Sequence, residues 1–145
     1  MLNKNAQQFK NYLEDIGFPF SYSEENEEVS IIDYKYQVEC GATIETKLVF
    51  NENESLDRHT TLIAIYGFVI TAISPVKKNY LYELINNLND KYTYFKYVLH
   101  ENAILLEAYI PFEDNFNINV VMDLMHLMTQ ILEEDYVNLM RTIWS

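Results

Sequence analysis

Residues 32–39 alternate strictly between apolar and polar side chains, and this pattern constrains the fold more than any other feature of the sequence. One set is apolar or aromatic: Ile32, Tyr34, Tyr36 and Val38. The other set is polar: Asp33, Lys35, Gln37 and Glu39. Because successive side chains of a strand point to opposite sides of the sheet, this segment is predicted to be a strand with one hydrated face. Such strands favour an antiparallel sheet.

The segments on either side of this strand predict a helix and a hairpin. Residues 3–16 carry apolar side chains at helical spacing and are followed by Gly17, which is typical of a helix end. The acidic stretch at residues 24–28 is predicted to be a solvated loop. Residues 44–50 repeat the alternation after a tight connection, so they are expected to pair with the first strand.

The second half of the chain predicts a long central strand, two further strands and two helices. Residues 60–73 are apolar on both faces, which is typical of a strand that is central or covered, and Gly67 is expected to allow a bend or bulge. The later elements are predicted at residues 75–90, 94–100, 104–112 and 119–143. The predicted fold is a single α+β domain over residues 1–145. It has the order α-β-β-β-α-β-β-α, with an antiparallel sheet of about five strands backed by three helices.

The net charge of the chain argues against several classes of partner, and its apolar segments bear on its location. The chain has 10 basic and 22 acidic residues, giving a net charge of −12. Nucleic acids and anionic membrane surfaces attract positive charge, so neither is expected as a partner, whereas a basic protein is compatible. No apolar stretch is long enough to span a bilayer and no signal peptide is recognisable, so a cytoplasmic location is expected. The single cysteine, Cys40, is interpreted as a turn residue.

The sequence contains none of the compact motifs that carry catalysis. Its 3 glycines are isolated, so a phosphate-binding loop is absent. The histidines His59, His100 and His126 lie on different predicted elements without metal-ligand spacing. No catalytic residue, metal site or cofactor is therefore predicted, and the protein is expected not to be an enzyme.

The last helix and the long strand carry more apolar side chains than three helices on one sheet face obviously need to cover. This is the sequence feature that most strongly suggests a binding surface. The last helix carries four of the 5 methionines, and methionine is common at adaptable binding surfaces. The candidate partner-binding residues are Met122, Met125, Met128 and Leu132 of this helix, with Tyr66 and Phe68 of the long strand. The sequence leaves open whether these residues contact another protein, form a homodimer or fill the core.

Two alternatives to a protein-binding function remain open. A small-ligand or catalytic site could be assembled from scattered residues of the fourth and fifth strands, namely Tyr97, His100, Glu107 and Tyr109. Each has a plainer interpretation as a core, strand-end or surface residue. The acidic composition is also compatible with an immunity-type protein that masks a basic toxin.

Three short segments resemble the YbjN-type bacterial domain. They are LINNLN at residues 84–89, YFKY at residues 94–97 and LEAYIP at residues 106–111. They are similar to the helix end, the F-x-K-F type of strand and the L-x-Y-x-L-P type of strand of that family, although residues 101–103 (ENA) stand where the family often has an Asp/Gly turn. The resemblance implies the fold of type III secretion chaperones, often dimeric. It also implies a regulatory or sensory-transduction role with no defined catalytic residue.

Overall fold

The described residues form one antiparallel sheet and three helices. The computed structural model describes residues 1–52, 61–70, 73–112 and 115–144. Its elements are α1 (Lys4–Asp15), β1 (Ser21–Glu24), β2 (Val29–Gln37), β3 (Thr43–Asn51), β4 (Thr61–Ile70), α2 (Lys78–Lys91), β5 (Lys96–His100), β6 (Ala103–Phe112) and α3 (Ile118–Trp144). A 3₁₀ turn, Pro75–Lys77, precedes α2. This order confirms the predicted α+β arrangement, apart from one additional strand.

The six strands form a single sheet in the order β1-β2-β3-β4-β6-β5, and every neighbouring pair is antiparallel. The β2–β3 hairpin is confirmed, with Tyr34 opposite Thr46 and Tyr36 opposite Ile44. Gly41 in the connection has a φ of 100°, which a side chain would disfavour. The predicted long strand is central, as its apolar character indicated. β4 covers residues 61–70 of it, and residues 60, 71 and 72 lie outside the described part of the chain.

The described part of the chain contains six strands, so the prediction of about five strands is wrong by one. The additional strand is β1, which pairs with residues 30–33 of β2 at the edge of the sheet. All four of its residues are exposed, so it lacks the alternation of buried and hydrated positions that makes a strand recognisable. It ends at Glu24, the first residue of the acidic stretch that was predicted to be entirely loop.

All three helices pack on one face of the sheet. Asn3 starts α1 by accepting a hydrogen bond from the Ala6 backbone N–H at 2.9 Å, and the Phe9 ring of that helix lies 5.8 Å from the Phe50 ring of β3. Helix α3 crosses the centre of the sheet. A methyl group added at Gly67 of β4 would lie 3.0 Å from Sδ of Met128. Gly67 therefore makes room for α3, and the irregularity expected there falls between Phe68 and Ile70 instead.

The other face carries none of the three helices, and we call it the open sheet face. It is the side that carries Ile31, Asp33, Lys35, Glu45, Lys47, Val49, Ala64, Tyr66, Phe68, Lys96, Glu107 and Tyr109. Ile31 and Ala64 are buried there but lie outside the core cluster that joins the sheet to the helices. Charged side chains surround them, because Asp33 is opposite Lys47 and Lys35 is opposite Glu45.

Candidate functional site

The methionine-rich side of α3 faces the protein's own core. Met125 is only 4% exposed, and Met128 and Leu132 are fully buried. Met122 is half-buried at the margin of this cluster. Of the three interpretations that the sequence left open, burial therefore favours core packing for Met125, Met128 and Leu132, because none of these residues presents a surface to a partner.

Tyr66 and Phe68 lie on the open sheet face, where a partner could reach them. The Tyr66 ring packs edge-on against Tyr109 at 6.0 Å between centroids, and their hydroxyl oxygens are 3.4 Å apart. The ammonium group of Lys47 lies 5.6 Å from the centroid of the Phe68 ring, within cation–π distance. Burial, with the Tyr66 hydroxyl as partner, raises the pKa of Tyr109 above its usual range.

The four residues proposed for a small-ligand site do not converge. Tyr97 points toward the helices and is buried, whereas Glu107 and Tyr109 project from the open sheet face. His100 is at the exposed end of β5, opposite to the end where Lys96 pairs with Glu107. The sheet therefore separates Tyr97 from the other three. The histidine His59, which was predicted to lie on a separate element, is outside the described residues.

Helix α3 carries a buried carboxylate that the sequence analysis did not identify. Asp135 of α3 is 1% exposed, and its Oδ2 accepts hydrogen bonds from the hydroxyls of Tyr92 and Tyr97, each at 2.8 Å. Burial and the nearby carboxylate raise the pKa of the Tyr97 hydroxyl above its usual range. This cluster connects α3 to β5 and to the end of α2. Asp135 follows Glu133 and Glu134 in the sequence, but its spacing from Leu132 and Leu139 puts it on the same side of the helix as these buried residues.

A largely apolar concave surface lies where β6 extends beyond its neighbour. β5 pairs only with residues 103–107 of β6, so within the described chain residues 108–112 have no strand on that side. A groove of about 420 Å³ runs between this free edge and α3, and we call it the edge groove. Its apolar and aromatic lining residues are Tyr94, Tyr109, Ile110, Pro111, Val120, Leu124 and Leu127. Asp123 is the one charged residue among those that line it.

The sequence matches no protein-family model, and it matches no curated protein. Across the described residues, no group of three or more histidine, cysteine, aspartate or glutamate side chains could hold a metal ion. None of the described helices is both long enough and apolar enough to cross a membrane. The candidate site therefore rests on the geometry of the edge groove.

Proposed function

We propose that this chain is a cytoplasmic, non-enzymatic domain of the YbjN type that binds an extended segment of another polypeptide. The observation that carries the proposal is the free edge of β6 beside an apolar groove. An extended peptide that joins a sheet edge gains main-chain hydrogen bonds from the strand and specificity from pockets for every second side chain. The edge groove supplies both features in one place.

Pro111 indicates which backbone groups of β6 face the free edge. A proline within a sheet is found where its missing N–H would have faced the edge, so its nitrogen is expected to point away from β4. Alternate residues of a strand direct their backbone groups to the same side, so Tyr109 would share this direction. A partner strand would then pair with the N–H and C=O of Tyr109 and with the C=O of Pro111.

The lining residues indicate the chemistry of the segment. Val120, Leu124 and Leu127 of α3 present apolar surface to the groove, which favours a partner with apolar side chains at alternate positions. Asp123 and the net charge of −12 favour a lysine or arginine in the same segment. We therefore expect a basic, β-forming segment as the ligand, and screening by salt should weaken its binding.

A pair of valines on α3 allows a matched test. Val120 lines the edge groove and is 42% exposed, whereas Val137 lies outside it and is 43% exposed. Labelled short peptides with alternating valine and threonine, flanked either by lysines or by glutamates, would be titrated by fluorescence anisotropy. We expect the lysine-flanked peptide to bind the native chain and Val137→Gln, and to lose at least about tenfold in affinity, roughly 1.4 kcal/mol, for Val120→Gln, which removes apolar contact without changing the charge.

Two results would contradict the proposal. One is equal binding of the lysine-flanked peptide to both variants, which would place the peptide elsewhere on the surface. The other is equal affinity for the lysine-flanked and glutamate-flanked peptides, which would remove the argument from charge. Circular dichroism of both variants controls for folding, because each change places the same polar side chain at a partly exposed helix position.

A further inference from the structure

The strands of the open sheet face carry no net charge, although the chain is strongly acidic. Carboxylates and lysines are equal in number there, whereas the whole chain has 22 acidic and only 10 basic residues. The charged residues are Asp33, Glu45, Glu107, Lys35, Lys47 and Lys96. A net charge of −12 keeps copies of the chain apart in general. The open sheet face is therefore the side on which two copies can approach each other without this repulsion.

The side chains of the open sheet face form rows that run across the strands. The charged row is Asp33 of β2, Lys47 of β3, Tyr66 of β4, Glu107 of β6 and Lys96 of β5. Lys47 and Glu107 lie one strand from Tyr66, on opposite sides of it. Asp33 and Lys96 lie two strands from Tyr66, again on opposite sides. Positions at equal distances from the centre of this row therefore carry opposite charges.

This order of charges makes the charged row complementary to itself. In a face-to-face dimer with its two-fold axis along β4, β3 lies over β6 of the second copy and β2 lies over β5 of the second copy. Lys47 then faces Glu107 of the second copy, and Asp33 faces Lys96 of the second copy. A two-fold interface makes every contact twice, so both pairs of opposite charges are repeated.

An apolar row lies beside the charged row and indicates the direction of the axis. It crosses four strands as Ile31, Val49, Ala64 and Tyr109. The axis along β4 places Ala64 over its own equivalent and Val49 over Tyr109 of the second copy. An axis across the strands that also matched opposite charges would instead place Val49 over the exposed Thr43. Contact between apolar side chains therefore favours the axis along β4.

The row on the other side of the charged row combines an ion pair with apolar side chains. Phe68, Leu105 and Val98 follow Lys35 and Glu45 across the sheet. The axis along β4 places Phe68 over its own equivalent. Lys35 and Glu45 are opposite each other in the sheet and would lie over Val98 and Leu105 of the second copy. Long charged side chains can cover apolar surface with their aliphatic stems, so this row is also compatible with the dimer.

The open sheet face has the area that a stable interface needs. At about 4.8 Å between strands and about 3.4 Å between residues, the six strands present about 750 Å² in projection. Specific protein–protein interfaces cover about 800 Å² on each partner. The two values agree closely, so a second copy of the same sheet is a partner of suitable size.

We propose that the open sheet face binds a second copy of this chain, with the two-fold axis along β4. Stacked sheets lie about 10 Å apart, a distance that Lys47 and Glu107 of the second copy can bridge together. Because such sheets cross at about 30°, the pairs nearest the axis keep their alignment best. Lys47 with Glu107 is therefore the pair to test. The apolar wall that α3 gives to the edge groove stays free, so this dimer does not depend on the proposed peptide binding.

Two charge reversals that compensate each other only between copies test the proposal on the full chain. Lys47→Glu brings carboxylates together in the dimer, and Glu107→Lys brings ammonium groups together. By analytical ultracentrifugation we expect the native chain to form a dimer with twice the 17.2 kDa of one chain. Each variant alone should dimerise at least about tenfold more weakly, because like charges would face each other. An equimolar mixture of the two variants should form a heterodimer with near-native affinity, because residues 47 and 107 again carry opposite charges at both contacts.

A matched control separates this contact from the overall charge. Lys4→Glu makes the same change of charge at an exposed position of α1 and should dimerise as the native chain does. Circular dichroism checks folding, because each reversal also changes a neighbour of Asp33 or Lys96 within the sheet. If either reversal disturbs folding, Asp33→Lys and Lys96→Asp provide a second complementary pair.

Four results would overturn the proposal. The first is a native chain that stays monomeric at about 100 μM, since dimers of this size are normally tighter. The second is a dimer that neither reversal weakens, which would place the interface elsewhere. The third is a dimer that Lys4→Glu weakens as much as Lys47→Glu does. The fourth is a mixture of folded Lys47→Glu and Glu107→Lys chains that dimerises no better than the separate variants.

Discussion

The buried carboxylate of Asp135 is expected to contribute more to stability than any exposed charge near it. Asp135→Ala removes the acceptor of two hydrogen bonds at 2.8 Å. Hydrogen bonds to charged groups contribute about 1.5–3 kcal/mol each, with the Tyr92 bond at the lower end because Tyr92 is only half-buried. The change also leaves the buried hydroxyl of Tyr97 unpaired. We expect a loss of about 3–5 kcal/mol in the free energy of unfolding, the range typical of breaking a buried charged network.

The neighbouring Glu134 provides the control. Lys91 lies 3.4 Å from Glu134 and 3.9 Å from Asp135, so both carboxylates share one cation, but Glu134 is exposed. Exposed ion pairs contribute about 1 kcal/mol or less, so Glu134→Ala should change stability little. Urea unfolding followed by circular dichroism measures both variants. A domain of this size is stable by about 5–15 kcal/mol, so the expected loss would be a large fraction of the total.

A combined variant tests whether hydrogen bonding is the cause. Replacing Asp135 by Leu together with Tyr92→Phe and Tyr97→Phe removes donors and acceptor at once, and such apolar replacements are often nearly neutral. We therefore expect the triple variant to be more stable than Asp135→Ala. The reasoning fails if Asp135→Ala and Glu134→Ala lose the same free energy, or if the triple variant is less stable than Asp135→Ala.

Three further changes have defined outcomes. Stability should fall as the pH rises above about 10, because Tyr34 has a pKa of about 12 when folded and 10.0 when unfolded. This difference corresponds to about 3 kcal/mol, most of which is lost by about pH 12. Urea midpoints that stay level from about pH 9 to about pH 12 would contradict this. Gly67→Val should cost about 1–3 kcal/mol through overpacking against Met128. The same change should cost less when it is made in Met128→Ala than in the native chain, and an equal cost in thermal melts of the two pairs would show that the two residues do not interact. Asn3→Ala should lower the free energy of unfolding in urea by about 2–3 kcal/mol, since the Asn3 side chain caps α1 and also donates to the carbonyl of Phe50 at 2.9 Å. A loss below about 0.5 kcal/mol, the small end of capping effects, would disprove this role.

The element order could be predicted because the chain signals each boundary locally. Alternation marks β2 and β3, helical spacing marks α1, and Pro75 marks the start of the turn into α2. β1 could not be predicted, because an exposed edge strand has no buried side and therefore no periodic pattern.

The candidate sites could be predicted less well than the fold, because they depend on which face of an element meets which neighbour. The apolar arc of α3 was visible in the sequence, but only the packing of Met128 over Gly67 shows that its methionines serve the core. The edge groove arises from a difference in length between β5 and β6 and from the path of α3. No single segment carries that information.

The charged pairs of the open sheet face have a consequence for how the β2–β3 hairpin finds its register. A slip of two residues keeps every apolar side chain on the core face, so hydrophobic burial alone discriminates poorly against it. In the native register Asp33 is opposite Lys47 and Lys35 is opposite Glu45. A slip in one direction would place Asp33 opposite Glu45, and a slip in the other would place Lys35 opposite Lys47. Because like charges directly opposite each other are destabilising, this pattern disfavours both slipped registers. The charged pairs of the open sheet face therefore help to select the native register of the hairpin.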